Sequence, residues 1–402
     1  MQGEEERNEG GISVEDPTKT YLRLILDILS DSHNETIDPT KPILRISLRY
    51  VYPLFIFVYS LVCLVGTTGN VLILYTIMKK RLRDPTYLLL GNMAVSDITK
   101  CVAVLPISLA NLLIKNWIYG SFMCFFLPML QYFPVHVSML TYLTIAIERY
   151  RLILHPIKSR VPAGLCIIGI WVLAVCLVLP YAIYVKYIDL GFFLGSDFDG
   201  VGLCLVNVER NIEEYTRAMF VCLYAVPLAI IAFLYVKVSA EIKVREGPAT
   251  SVSRVTWSTN VSEGDHRASE DHGSASHPHV QHSLRSDDDD FDSNQERRTQ
   301  KYLITMVTLF AACWCPLNIL TLVTHFVFET DNNAGYFDVT FILFSWIGFL
   351  STCINPFLFA SWMMSSESKN RLRGYFRFSN RRRSLPQSRH SDAFSRNGHH
   401  RS

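Results

Sequence analysis

Seven long apolar stretches, separated by more polar segments, constrain this chain more than any other feature. A helix needs about 20 residues to cross roughly 30 Å of hydrocarbon. The stretches 50–78, 87–114, 122–154, 161–184, 215–244, 302–328 and 336–364 all reach that length. Half of the residues are hydrophobic, which is more than one ordinary soluble domain of this size is expected to contain. The sequence therefore predicts an all-α membrane protein, a bundle of seven transmembrane helices.

The basic residues predict which ends of the spans face the cytoplasm. Lysine and arginine cluster at the ends of the first, third and seventh spans or just beyond them, at 79–83, 149–160 and 369–383. By the positive-inside rule these segments are cytoplasmic, which leaves the N-terminus extracellular. We therefore predict a multi-pass protein of the plasma membrane, with an N-linked glycan on Asn34 in the sequon Asn34-Glu35-Thr36.

Composition divides the chain into six predicted segments. Residues 1–49 form a disordered extracellular tail, 246–295 a disordered third cytoplasmic loop and 378–402 a disordered cytoplasmic tail, because large apolar residues are sparse there. Helices one to five occupy 50–245, and helices six and seven occupy 296–364. Residues 365–377 form a short amphipathic cytoplasmic helix, in which Leu372 and Phe376 lie one turn apart.

Polar residues within the spans are the candidate functional residues, because each costs free energy in the bilayer and so requires a reason. In chain order the notable motifs are Gly69-Asn70-Val71, Asn92 to Asp97, Glu148-Arg149-Tyr150, Trp171, Pro227 with Tyr235, Cys313-Trp314-Cys315-Pro316, and Asn355-Pro356. This series resembles the rhodopsin-class (class A) G-protein-coupled receptors over residues 50–245 and 296–376. Any one of these motifs alone is also explained by ordinary contacts between helices.

The resemblance implies a switch at the cytoplasmic ends of the helices. In the resting state Arg149 pairs with Glu148 and with Glu296 of span six, and outward movement of span six admits a heterotrimeric G protein. The alternative is an ordinary pair of surface contacts near the headgroups. Phe359 stands where the family has the tyrosine of NPxxY, so the missing hydroxyl is expected to reduce coupling efficiency. The other residues of the implied switch and coupling surface are Tyr150, Pro156, Ile157, Tyr235, Phe310, Trp314, Pro316, Asn355 and Pro356.

The resemblance also implies a polar core at the middle of the membrane. Asp97, Ser138, Ser351 and Asn355 match the residues that hold a sodium ion in related receptors, and oxygen ligands suit that cation. Lys100, three residues after Asp97, departs from the pattern. Its ammonium either competes with or replaces sodium as the partner of Asp97, or it lines the ligand cavity and meets a carboxylate of the ligand.

Further resemblances concern the extracellular half. Cys124 and Cys204 match the family's disulfide, with two buried free thiols as the alternative. Gln131 stands in the place of the aspartate of amine receptors, and Phe349 in that of the retinal lysine of opsins, so neither ligand is expected. Gln131 and Pro106 resemble the neuropeptide Y receptors, which implies an extracellular peptide attracted by an acidic rim. The implied ligand-binding residues are Pro106, Gln131, Trp314, Asn318, His325, Glu329 and Phe341.

Other functional classes receive less support. The spans contain His136 and His325 but no cluster of ligands with metal spacing, so we predict neither an enzyme nor a metal centre, and we interpret His136 as a hydrogen-bonded core residue. The sequence also lacks the internal repeat that is typical of many transporters. The main alternative is an orphan or constitutively active seven-helix receptor without a soluble ligand.

The expected partners follow from the resemblance. They are the peptide, a heterotrimeric G protein, the lipid bilayer, and a receptor kinase and arrestin that act on tail serines such as Ser384 and Ser388. No nucleic acid is expected. A sodium ion near Asp97 is the one cofactor that the resemblance implies.

Overall fold

The structure, a computed structural model, describes residues 41–45, 48–157, 161–194, 202–206, 212–246, 280–323 and 334–364, together with positions 368, 371 and 374. Side chains are described for all of these except 193–194, 245–246, 280–293, 334–335 and 337. Seven helices within these ranges are long and apolar enough to cross a membrane. The predicted seven-helix bundle is therefore confirmed.

The seven helices, numbered α1 to α7 in chain order, correspond one to one with the predicted spans. The first four are α1 (Tyr52–Lys79), α2 (Pro85–Leu113), α3 (Gly120–Leu154) and α4 (Ala163–Tyr184). The helix α5 runs without a break through Glu213–Phe220, Val221–Ala225 and Val226–Glu246. The last two are α6 (Val280–Val323) and α7 (Ala334–Met363). Proline lies in the first turn of both α1 and α2, where its missing N–H has no helical partner to lose.

The helix α6 is longer than the predicted span. It begins at Val280, inside the segment 246–295 that the sequence predicts to be a disordered loop. Extending an existing helix requires only propagation, without a new nucleus, so even a segment rich in aspartate can continue one. Pro316 lies within this helix, and prolines also lie within α3 and α7. Membrane helices tolerate proline because neighbouring groups satisfy the freed backbone atoms.

The helix α3 lies at the centre of the bundle. It contacts α2, α4 and α5, while α6 packs between α5 and α7, and α1 packs against α2 and α7. Glycine makes the α1 contacts close. A Cβ atom at Gly66 would lie 2.5 Å from Cys101 Sγ of α2, and one at Gly69 would lie 2.7 Å from the Pro356 ring of α7. Small residues of this kind allow helix backbones to approach in a membrane.

A β-hairpin covers one end of the bundle, which we call the hairpin end. Its strands, β1 (Val185–Asp189) and β2 (Gly202–Val206), pair antiparallel. Cys204 of β2 forms a disulfide with Cys124 of α3, which confirms the predicted pairing. The hairpin is therefore fixed covalently to the central helix.

Two isolated backbone bridges extend this cover around the bundle. Trp117, in the loop between α2 and α3, pairs with Gly202 of β2. Leu44, before α1, pairs with Ile114 in the same loop. Hydrogen bonds between backbones thus join the segment before α1, the α2–α3 loop and the hairpin into one rim.

Candidate functional site

A cavity of about 990 Å³, including its mouth, lies among α3, α4, α5, α6 and α7. It occupies the half of the bundle near the hairpin. Aromatic side chains dominate its wall: Tyr132, Tyr181, Tyr215, Phe220, Tyr224, Phe310, Trp314 and Phe341. No Asp, Glu, Lys or Arg is among the described residues that line it. The cavity therefore suits an apolar or aromatic group, because a charge placed there would lose its hydration without gaining a partner.

Three of the seven predicted ligand-binding residues line this cavity: Trp314, Asn318 and Phe341. Gln131 does not, because its side chain faces α2, where Nε2 donates a hydrogen bond to Ser108 Oγ at 2.9 Å. Pro106 also lies on α2, which contributes none of the described lining residues. His325 and Glu329 lie outside the described part of the chain.

His136 lines the cavity, although the sequence suggested a hydrogen-bonded core residue. Its Nδ1 atom is buried and has no hydrogen-bond partner among the described residues. Tyr132, one turn earlier in α3, stacks on the imidazole with 6.2 Å between ring centroids. The spacing of these two residues by one helical turn was the signal that could have placed both on the cavity face.

Tyrosines shape the wall by pointing their hydroxyls away from the cavity. Tyr215 donates to the carbonyl oxygen of Leu177 in α4 at 2.7 Å, and Tyr224 donates to that of Ala311 in α6 at 2.6 Å. The aromatic rings are left to face the cavity. These two hydrogen bonds also tie α5 to the helices on either side of it.

Trp314 and Phe310 of α6 form the floor of the cavity. Trp314 Nε1 donates to Ser351 Oγ of α7 at 3.3 Å. The ring of Phe310 lies 5.1 Å from that of Tyr142 in α3, measured between centroids. Pro316, two residues beyond Trp314, has no N–H for the helix ladder, so α6 has a weak point directly at this floor.

A buried ion pair lies on the other side of Phe310. Lys100 Nζ is 2.8 Å from Asp97 Oδ1, and both side chains are at most 1% exposed. Lys100 Nζ also donates to Ser138 Oγ at 2.5 Å, and Asn355 Nδ2 donates to Asp97 Oδ2 at 2.9 Å. Lys100 is not among the described residues that line the cavity. The pair links α2, α3 and α7.

The opposite end of the bundle, which we call the Arg149 end, is closed. Arg149 of α3 forms an ion pair with Glu296 of α6. Glu148 instead accepts a hydrogen bond from Thr86 Oγ1 of α2 at 3.0 Å. The hydroxyl of Tyr235 is buried and has no partner among the described residues. The ion pair between Arg149 and Glu296 therefore joins α3 to α6 at this end.

An aromatic cluster strengthens this closed end. Trp362 of α7 stacks on Tyr87 of α2 at 5.3 Å and lies 6.2 Å from Tyr302 of α6, between ring centroids. Phe359, the residue without the family hydroxyl, packs edge-on against Trp362 at 6.1 Å. Arg298 of α6 donates to the carbonyl oxygens of Trp362 and Met364, at the C-terminal end of α7. Cations stabilise such helix ends.

Several predicted features lie outside the described residues. These are Asn34, Ser384 and Ser388, together with most of the predicted amphipathic helix, of which positions 368, 371 and 374 are helical. Ile157 is described and is 99% exposed beyond the end of α3. Pro156 precedes it in a turn.

One comparison with known proteins bears on this arrangement. The chain matches the family model described as 7 transmembrane receptor (rhodopsin family) over residues 69–359, which is more than half of its length. The match runs from Gly69 in α1 to Phe359 in α7, so it includes the cavity, the ion pair and the contact between Arg149 and Glu296. Members of this family are signalling receptors that bind a ligand and couple to G proteins, and they are not enzymes. Because the match extends from α1 to α7 and covers most of the seven-helix bundle, we conclude that this multi-pass membrane protein belongs to the rhodopsin family of seven-transmembrane receptors.

Proposed function

We propose that this receptor binds an extracellular peptide and activates a heterotrimeric G protein at the plasma membrane. The cavity is the observation that carries the proposal. Its described wall is uncharged and rich in aromatic side chains, which is typical of pockets that take an apolar group. Such a wall favours a ligand that inserts an uncharged aromatic or aliphatic group and keeps its charges outside.

Carboxylates around the hairpin end offer a place for those charges. Asp189 at the end of β1 and Glu214 at the start of α5 are exposed. Asp338, at the start of α7, already binds Arg45 at 3.0 Å. A basic peptide would be attracted to this rim before its apolar part enters the cavity. A neuropeptide Y-like specificity remains part of the proposal, but Gln131, bonded to Ser108, lends it no direct support.

The proposed orientation puts the hairpin end outside the cell. The positive-inside rule assigns the arginine-rich loops and tail to the cytoplasm, and a disulfide in the hairpin suits an oxidising exterior. The Arg149 end then faces the G protein, where the exposed side chain of Ile157 provides an apolar contact. Asn34 would carry a glycan outside, and the tail serines would meet a receptor kinase and arrestin inside.

The closed Arg149 end supports a receptor with low basal activity that a ligand activates, rather than a constitutively active one. The ion pair between Arg149 and Glu296 and the bonds of Arg298 all join α6 to its neighbours. Outward movement of α6 must break them.

The test is to express the full chain with a promiscuous G protein and to record calcium release against a library of amidated neuropeptides. Two phenylalanines of α7 provide a matched pair of variants. Phe341 lines the cavity, whereas Phe357 is 67% exposed on the outer face of the same helix. We expect Phe341→Ala to weaken the peptide's potency about tenfold and Phe357→Ala to leave it unchanged.

Arg149→Ala should abolish the response while the receptor still reaches the surface. A response that survives in Arg149→Ala would contradict the proposed switch. If no peptide evokes a response, while surface expression is good and basal signalling is measurable, an orphan or constitutively active receptor without a soluble ligand is favoured instead.

A further inference from the structure

The side chains around Asp97 do not fit a sodium ion. Asp97 and Ser138, two of the groups expected to hold the ion, are bonded to Lys100 Nζ at 2.8 and 2.5 Å. Ser351, a third, donates to a carbonyl of its own helix and accepts from Trp314. An ammonium this close to the carboxylate also repels any second cation.

The ammonium of Lys100 is well satisfied where it lies. An ammonium has three N–H donors. Asp97 and Ser138 accept two of them, and the ring of Phe310 lies 5.8 Å from Nζ, within the range of a cation–π contact. Lys100 has no exposed surface, so its ammonium is shielded from bulk water in this conformation.

We infer that Lys100 is a tethered cation, which permanently takes the place of a diffusible sodium ion at Asp97. The stability and the resting state of this receptor are then independent of the sodium concentration. Removing the ammonium leaves the buried carboxylate of Asp97 near the hydroxyl oxygens of Ser138 and Ser96, and oxygen ligands of this kind do suit sodium.

The position of the two charges on one helix explains how the membrane accepts them. Asp97 and Lys100 are three residues apart on α2, so they pair as neighbours within the same turn. The pair is neutral overall, which lowers the cost of moving it into hydrocarbon. A π-helical turn, Lys100–Val104, begins at Lys100 itself. Such turns are rare in proteins overall, and those that occur often lie at functional sites.

The pair of Lys100 and Asp97 also connects α2 to three other helices. Lys100 joins α2 to Ser138 of α3, Asp97 joins α2 to Asn355 of α7, and Phe310 of α6 lies over the ammonium. Phe310 is at the same time part of the cavity floor. Movement of this floor can therefore reach the ion pair directly, and no ion has to leave.

The test compares thermal unfolding of the purified full chain in sodium chloride and in choline chloride, each at about 0.15 M. This readout does not depend on the proposed peptide. The wild-type receptor should unfold at the same temperature in both salts. Lys100→Met should unfold at a lower temperature in choline and regain several degrees in sodium, because a bound ion stabilises only the folded state.

Two further variants complete the design. Asp97→Asn combined with Lys100→Met removes both charges and should show no response to sodium. Lys301→Met removes an exposed lysine of α6 and should behave as wild type. The inference is overturned if sodium stabilises the wild-type receptor over choline, which can be measured even if Lys100→Met fails to fold. It is equally overturned if folded Lys100→Met gains nothing from sodium.

Discussion

Arg149 and Glu296 form an ion pair that joins α3 to α6 at the closed end of the receptor. The side chain of Arg149 is 5% exposed and that of Glu296 is 39% exposed. Glu296→Ala would leave the arginine buried without this partner and so would disfavour the closed state. A partly exposed pair contributes about 1 kcal/mol, so we expect basal G-protein signalling to rise about fivefold. Nucleotide exchange without ligand, normalised to surface expression, measures this.

A control variant must show that loss of a negative charge elsewhere does not raise basal signalling. Glu214→Ala removes an exposed glutamate at the hairpin end, far from the switch. It should leave basal signalling unchanged. Equal basal signalling in Glu296→Ala and Glu214→Ala would show that the pair does not hold the receptor closed.

Trp362 is expected to be the main packing residue of the Arg149 end. It is 6% exposed and contacts aromatic rings of α2, α6 and α7. Trp362→Ala should destabilise the receptor by about 3–5 kcal/mol, because it leaves a cavity among these rings. Thermal unfolding of the purified protein checks this, with the exposed Phe357→Ala as the matched change. Similar losses in both variants would mean that the cluster adds nothing beyond lipid contact.

A substitution of His136 can separate an effect on stability from an effect on ligand binding. Its buried Nδ1 has no described partner, so His136→Leu removes an unsatisfied polar atom and should leave the unfolding temperature unchanged or slightly higher. The response to an activating peptide should nevertheless weaken, because the imidazole lines the cavity. Dose–response curves and unfolding curves on the same variant test both halves. A fall in stability with unchanged potency would reverse the assignment and make His136 a core residue.

Gly69 is expected to tolerate no side chain. A Cβ atom there would lie 2.7 Å from the ring of Pro356, which is too rigid to move away cheaply. Gly69→Ala should cost about 1–3 kcal/mol through overpacking between α1 and α7. Gly169→Ala in α4 is the matched control, since nothing lies within 4 Å of its added methyl group. Equal stability of the two variants would show that α7 can shift to make room.

Residue type and chain order were enough to predict much of this receptor. The spans follow from apolar length, and the disulfide follows from the resemblance at Cys124 and Cys204. The contact between Asp97 and Lys100 was also accessible, because two opposite charges three residues apart on a buried helix have few other partners.

The faces of the helices were harder to predict. Gln131 was expected in the ligand site, yet it is Tyr132, the next residue, that lines the cavity. Lipid is as apolar as the interior of a helix bundle, so apolar periodicity alone does not show which way a membrane helix is rotated. The rim at the hairpin end was missed for another reason. The pairing of Leu44 with Ile114 uses backbone atoms, which every residue has.

Because α6 is long, a small bend at Pro316 produces a large displacement at its distant end. Pro316 and Glu296 lie on the same helix, about 20 residues and hence about 30 Å apart. Each degree of bend at Pro316 would thus displace Glu296 by about 0.5 Å. A tilt of about 5° away from α3 would already carry the carboxylate beyond hydrogen-bonding reach of Arg149. The geometry of α6 therefore converts an angular change beside Trp314 into a linear one at the far side of the membrane.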